Sequence, residues 1–358
     1  MTELKEPTTV DVDTLMAFVF RCVDEVGASL STAQVVMGDR LGYYRAMTSG
    51  PTTPSKLAQD TGTAERYARE WLNAQAAGGI VSYDVETGDY RLPPEQAVAM
   101  TDESSPAYLP GFFQLALGSL QATDKIIEAA RTGDGYGWDE QTHNVHQGCE
   151  RFFRPGYNAH LLAEWLPALD GVVAKLETGA KVADIGCGFG ASTIIMANAF
   201  PNSRFTGSDY HAESLAAARE AAEAAGLDDR VSFEQAAADA YSGGGYDLVT
   251  TFDALHDMGD PIGAARHVLE SLAPDGSWMV VEPAAGDHVE DNLNPVGRAY
   301  YGFSTLLCTP GSLAQDVGLA LGAQAGPARI RDVVTAAGFT RFDTVAHTPF
   351  NLVYAVRP

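Results

Sequence analysis

The stretch KVADIGCGFG, residues 181–190, decides how the rest of the chain is read. Lys181 to Ile185 have the composition of a short buried strand. Gly186, Gly188 and Gly190 then follow at every second position, and ASTIIMANAF starts a helix. A strand that breaks into alternating glycines and re-enters a helix makes a tight turn. Such a turn lets a ligand approach the backbone and aims free N–H groups at it. It serves NAD, FAD or S-adenosylmethionine (SAM) alike. Asp184, inside the strand, separates them, because a buried carboxylate repels a pyrophosphate and matches a cationic methionine moiety. The turn therefore favours SAM, with Asp184, Gly186, Gly188 and Gly190 as cofactor-binding positions.

Downstream, strand and helix segments alternate. RFTGSD is followed by AESLAAAREAAEAAG, VSFEQA by the Asp239 loop, YDLVTTF by PIGAARHVLESL, and SWMVVEP by a long insertion. Helix ARIRDVVTAAG then precedes TRFDTVAHTP and NLVYAVRP. This alternation predicts a parallel sheet covered on both faces. The last two strands, separated only by Thr348-Pro349, read as an antiparallel pair, an ending unusual in dinucleotide folds.

Upstream, residues 1–10 read as a loose tail. Residues 11–46 place Leu15, Phe18, Val19, Cys22 and Val26 at helical spacing, with a second segment from Ser31 to about Met47. PTTPSKLAQDTG and TAERYAREWLNAQAAGG read as two helices, and IVSYDVETGDYRL as a hairpin around Thr87-Gly88. Helix, turn, helix and hairpin form a winged-helix arrangement. Its second helix sets only Arg66 and Arg69 against Glu65 and Glu70, which fits dimerisation better than DNA binding. Residues 93–180 read as a connecting region with a helix from about Phe112 to Ala130. In it, GDGYGWDEQTH reads as a loop over a cleft and FFRPGYNAHLLAEWLPALDGVVAKL as a helical lid segment.

Composition narrows the function classes. The 358 residues carry 23 basic and 47 acidic side chains, a net charge of −24, which opposes nucleic-acid and anionic-membrane partners. Cys22, Cys149, Cys187 and Cys308 are far apart and form no CxxC, as expected of reduced thiols in a cytoplasmic protein. The N-terminus does not read as a signal peptide, and no apolar run is long enough to span a membrane.

Chemistry-bearing residues gather after the strands. Asp209 ends the second strand, 25 residues after Asp184, where a carboxylate accepts both ribose hydroxyls of an adenosine; Tyr210 is its neighbour. Asp239, next to Ala240, is placed to receive the adenine amino group. Asp253, His256 and Asp257 follow the fourth strand, on the rim where open α/β sheets bind ligands. Asp253 is grouped with the cofactor positions. His256 is expected to face the reactive end and abstract a proton. Glu282, after the fifth strand, is expected to orient it. His146 and Glu150, four apart, share a helix face but do not complete a metal site. Arg151 and Arg154 are candidate receptors for a substrate carboxylate or partners of nearby acids.

These residues together resemble the class I SAM-dependent methyltransferases. VADIGCGFG matches their D/E-x-G-x-G-x-G pattern, Asp209 their acid after the second strand, and LAPDGSWMVVEP their Leu-x-Pro-x-Gly segment. GYYRAM…PTTPSKLAQDTG…REWLNAQAAGGIV…YRL resembles the winged-helix dimerisation domain of small-molecule O-methyltransferases. LHDMGDP is similar to their Leu-His-Asp-Trp-x-Asp segment, whose histidine is the base, with Met258 in place of Trp. GxERFFRPGY, GCGxGASTIIMAxAFP, LHDMGDP and EDNLNPVGR resemble an actinobacterial group of winged-helix methyltransferases along essentially the whole chain. A related set methylates 2-oxo acids at carbon with a non-haem iron held by adjacent His and Asp. His256 and Asp257 match that pair, His288 is the nearest later histidine, and no third ligand is assigned.

The resemblance implies a Rossmann-like methyltransferase fold with an antiparallel last strand behind an N-terminal α-helical winged-helix domain. The expected boundaries are 1–95 for the winged-helix dimerisation domain, 96–180 for the helical connector and lid, and 181–358 for the methyltransferase domain. It implies SAM as methyl donor, S-adenosylhomocysteine as product, a small-molecule acceptor, a homodimer, and a role in secondary metabolism. His256, Asp257, Glu282, Arg151, His146 and Glu150 form the expected catalytic set. The alternatives are a metal-dependent C-methyltransferase of 2-oxo acids, with Arg151 holding the carboxylate, and a SAM-fold DNA-binding regulator. An NAD(P) oxidoreductase has only the glycine turn in its favour.

Overall fold

The computed structural model describes residues 10–358, so the expected tail lies almost wholly outside the described residues. Two compact units divide between Asp102 and Glu103.

The first unit begins with one continuous helix, Val12–Arg40, rather than two segments. Asp11 starts it by accepting the Thr14 N–H at 2.7 Å. No proline interrupts the run before Gly42, whose φ of 71° opens the short helix Tyr43–Met47. The expected apolar positions Leu15, Phe18, Val19 and Val26 are on this helix and are exposed. Helices Pro54–Thr61 and Glu65–Ala77 follow. The wing is the antiparallel pair β1, Ser82–Tyr83, and β2, Tyr90–Arg91. Helix Pro94–Thr101 closes the unit a few residues beyond the expected boundary.

The second unit is built on seven strands. They are β3 (Lys181–Ile185), β4 (Arg204–Asp209), β5 (Val231–Gln235), β6 (Tyr246–Phe252), β7 (Leu272–Pro283), β8 (Arg341–His347) and β9 (Asn351–Arg357). Their order is β5-β4-β3-β6-β7-β9-β8. The pairs from β5 to β7 are parallel, while β9 runs antiparallel to both β7 and β8. One apolar core, around Leu161, Trp165, Val182 and Met279, covers one face, and another, around Val249, Trp278 and Val334, covers the other. That burial on both faces explains why β3, β6 and β7 read as near-continuous apolar runs.

Residues 103–180 belong to this second unit instead of standing apart as a connector. The expected helix from Phe112 is two, Pro110–Gln121 and Thr123–Thr132, broken at Ala122. Helix His143–His160 continues through Pro155 into a π-helical turn, Leu161–Trp165. It lies against Pro110–Gln121 so closely that a Cβ at Gly118 would sit 2.7 Å from the Val145 backbone nitrogen. Tyr157, Leu161 and Trp165 carry this segment into the sheet core. The site-bearing face of helix His143–His160 is thereby fixed over the carboxyl ends of the strands. Among the described residues, no helix is long and apolar enough to cross a membrane.

Candidate active site

A cavity of about 550 Å³ opens at the carboxyl ends of β3, β4 and β6, within the usual range for a small-molecule site. The glycine turn forms its floor. Gly186 and Gly188 line it with φ of 72° and 52°, and open space lies where a Cβ at Gly188 would go. Gly190 does not line it. Its φ is 76°, and a Cβ there would meet Phe233 at 2.9 Å, so its role is in packing the helix start.

Asp184 also lies behind the wall. It is 1% exposed and accepts hydroxyl hydrogen bonds from Ser192 at 2.7 Å, Thr193 at 2.5 Å and Thr250 at 2.9 Å. Burial raises its pKa, and these three donors oppose the rise. Direct contact with a cofactor, expected from the sequence, is replaced by support of the turn: the carboxylate ties β3 to β6 and to the start of the following helix.

Asp209, Tyr210 and Asp239 line the cavity, whereas Ala240 does not. Asp209 Oδ2 accepts the Gly188 N–H at 2.9 Å and Oδ1 accepts the His211 N–H at 2.8 Å. Burial raises its pKa, and these backbone bonds counter the effect. Asp253 follows β6 with φ of 49°, an unusual conformation that aspartate tolerates better than most residues. Tyr157 donates to it at 2.8 Å, and so does the Asn351 amide, also at 2.8 Å. Burial, and then the charge of Glu282, hold its pKa well above the ordinary value.

The expected catalytic residues separate into two groups. Asp257, His146 and Glu150 line the cavity; His256, Glu282 and Arg151 do not. Glu282 Oε1 accepts the Leu255 N–H at 3.0 Å, and Oε2 lies 2.7 Å from His256 Nδ1. The other ring nitrogen, Nε2, lies 3.1 Å from Asp257 Oδ1. Burial alone would lower the pKa of His256, but the carboxylates of Asp257 and Glu282 outweigh it and raise it well above the imidazole value. The ring is almost fully buried, with a carboxylate beside each nitrogen.

Arg151 is bound to Gln114 at 2.8 Å and to the Tyr108 hydroxyl, while Arg154 donates to Glu150 at 2.6 Å. Seven lining side chains are carboxylates and none is lysine or arginine. A substrate carboxylate thus finds no cationic receptor in the wall, whereas a sulfonium finds a matching field. His146 donates from Nε2 to the Trp138 carbonyl at 2.8 Å, and burial lowers its pKa. Trp138 lines the cavity.

Among the described residues, donor atoms of His256, Asp257 and Cys308 come within 4.8 Å of one another. Cys308 is brought there by the π-helical turn Ser304–Cys308. Neither His256 nor Cys308 lines the cavity, so this set does not fit a catalytic metal with a position open to substrate. It also differs from the expected pattern, since His288 is exposed and is not in the group. No pattern of spacing points to Cys308, nor to Gln315, which accepts the Gly259 N–H at 3.1 Å and donates to the Asp257 carbonyl at 2.9 Å. Both come from the insertion after β7, remote in sequence from the loop they hold.

Comparison with known proteins agrees with this architecture. Residues 183–278 match a family described as a methyltransferase domain, and residues 28–102 match the Rv2258c-like winged HTH domain. The chain is 29% identical over 172 residues, 46% of its length, to a 27-O-demethylrifamycin SV methyltransferase of Amycolatopsis mediterranei. It is 26% identical over 253 residues, 68% of its length, to the mitomycin biosynthesis 6-O-methyltransferase of Streptomyces lavendulae. The matched segments span 57% and 71% of those two proteins, and 24% of a further curated relative. A crystal structure described as a putative O-methyltransferase from Nostoc punctiforme superposes with a TM-score of 0.71 at 21% identity, covering 98% of this chain and 100% of that one. This chain therefore has the fold of the class I methyltransferases, with residues 183–278 similar to a methyltransferase domain and residues 28–102 similar to the Rv2258c-like winged helix-turn-helix domain.

Proposed function

We propose that the protein transfers a methyl group from SAM to a hydroxyl of a small molecule in secondary metabolism. The observation that carries this reading is one cavity lined both by the glycine turn with Asp209 and Asp239 and by Asp253 and Asp257 after β6. SAM supplies an electrophilic methyl on a cationic sulfur. The chain has to bind it, exclude water and align the acceptor. In this reading Asp209 takes the ribose hydroxyls and Asp239 the adenine, and both line the cavity. Phe153, Phe252, Met258 and Leu307 supply the apolar part of the wall for an acceptor. The relatives named for rifamycin and mitomycin methylation support the secondary-metabolic assignment. Calorimetric titration with SAM, S-adenosylhomocysteine and NAD tests the cofactor; tighter binding of NAD than of SAM overturns the reading.

The first unit serves a homodimer in this proposal. Helix Val12–Arg40 exposes Phe18, Phe20 and Leu30 by 58%, 67% and 63%, an apolar surface long enough to pair with a second copy. Arg66 and Arg69 of the winged helix pair with Glu70 and Glu65, which leaves that helix little cationic surface for DNA. Sedimentation of the parent and of a Phe18→Asp/Phe20→Asp variant checks this: the parent sediments as a dimer and the variant as a monomer. A cytoplasmic setting is consistent with four unpaired cysteines.

A further inference from the structure

One part of the cavity wall has no role in the methyl-transfer reading. Trp138 and His146 line the cavity together with Asp209, Tyr210 and Asp239. His146 is 6% exposed, and its ring centroid lies 4.5 Å from that of His211 and 4.9 Å from that of Trp138. The N–H of His211 is held by Asp209 Oδ1, so this ring contact sets His146 beside the ribose acid. The Trp138 carbonyl accepts from His146 Nε2, which puts the one proton of a neutral imidazole there and leaves a lone pair on Nδ1. Burial keeps the ring neutral by lowering its pKa. Among the described residues, Nδ1 has no hydrogen-bond partner. His211 accepts the Ser214 N–H at Nδ1, so the two rings meet without opposing charges. The segment is also held from behind. Tyr136 N–H donates to the Pro310 carbonyl at 3.0 Å, and a Cβ at Gly135 would collide with the Ala314 backbone.

We propose that Trp138 and His146 are cofactor-positioning residues, which close the ribose end of the cavity over Asp209. The inference rests on the methyl-transfer reading above. In it, Asp209 receives ribose hydroxyls with the lone pairs that its two backbone bonds leave, and His146 Nδ1 is a further acceptor for an O–H or N–H of the adenosine half. The Trp138 indole packs on Val145 and Leu307 and presents apolar cover, which keeps water from competing for these bonds. The contact with His211 ties the segment to the Asp209 turn, because His211 also caps helix Ala212–Ala224. The insertion after β7 supports the other side at Pro310. Neither residue exchanges a proton with the substrate in this assignment; they hold the donor while the chemistry proceeds at the loop after β6.

Tryptophan emission and calorimetry of the full chain test the assignment, with S-adenosylhomocysteine as the probe. Trp71, Trp165 and Trp278 are 2% exposed or less and none of them lines the cavity, so Trp138 is the tryptophan placed to sense a ligand. Saturation should change the emission of the parent and leave that of Trp138→Phe unchanged, while calorimetry detects binding in both. His146→Phe keeps a ring against His211 and removes both nitrogens; it should weaken binding about 3- to 10-fold, the loss of one neutral hydrogen bond. His146→Gln restores an acceptor and should recover part of that loss. Gly135→Ala crowds the segment against Ala314 from outside the cavity and should also weaken binding, which decides the matter if His146→Phe does not fold. Parent emission unchanged at saturation overturns the proposal, as does affinity within twofold of the parent in His146→Phe or, where that variant does not fold, in Gly135→Ala. No binding to the parent refutes methyl transfer itself, whereas binding with either of those failures refutes only the assignment of Trp138 and His146.

Discussion

Replacing Asp209 by alanine should weaken cofactor binding and loosen the glycine turn together. The carboxylate closes the end of β4 onto the turn through Gly188 N–H at 2.9 Å and onto the next helix through His211 N–H at 2.8 Å. Each oxygen retains a second lone-pair direction for a ribose hydroxyl. A hydrogen bond to a charged group is worth about 1.5–3 kcal/mol. Loss of one ribose contact at that strength lowers affinity roughly 10- to 150-fold. A similar net loss at the backbone lowers Tm by roughly 3–12 °C in a unit of this size. Asp209→Asn should fall between, because its amide presents an N–H to one of two backbone donors. Calorimetric titration with S-adenosylhomocysteine at fixed pH and salt, beside a thermal melt, gives both quantities. Affinity within twofold of the parent in Asp209→Ala, with the turn intact, would refute the ribose assignment.

Gly190→Ala should destabilise the second unit by at least about 1–2 kcal/mol, since the left-handed conformation alone costs that much for an L-residue and Phe233 stands 2.9 Å from the new Cβ; chemical denaturation measures it. Asp253→Asn tests the buried charge, as asparagine tolerates the same φ. The folded pKa of Asp253 is raised by burial and by Glu282, so the native state holds this proton more tightly than the unfolded chain. That contribution is complete below the unfolded value near 3.8 and is lost as pH rises through the folded pKa. The parent should therefore lose stability relative to the variant on going from about pH 5 to pH 8, and parallel Tm curves would contradict the assignment. Arg151→Ala should cost about 1–3 kcal/mol of stability through its lost bonds, yet leave affinity for S-adenosylhomocysteine within twofold; a large affinity loss would return Arg151 to the site.

The sequence by itself determined the layout of the second unit. Local chain chemistry carried that information: apolar runs for strands buried on both faces, glycines where φ must be positive, and acids at strand ends. The seven strands and the antiparallel β9 match that reading. It also placed Asp209, Asp239 and Asp257 on one rim, because residues just past the carboxyl ends of parallel strands share an edge whatever the loops do. Only the tertiary structure decided which side of the cavity wall each group occupies. Asp184 and His256 have the same residue types as groups that touch ligand. Each was turned inward by partners distant in sequence: Thr250 across the sheet for Asp184, and Glu282 from β7 for His256. Cys308 and Gln315 reach the loop after β6 from more than 50 residues away, through a π-helical turn and an insertion with no periodic signature. A single side chain's orientation depends on long-range packing and on who satisfies its hydrogen bonds, and neither is written in the spacing of its neighbours.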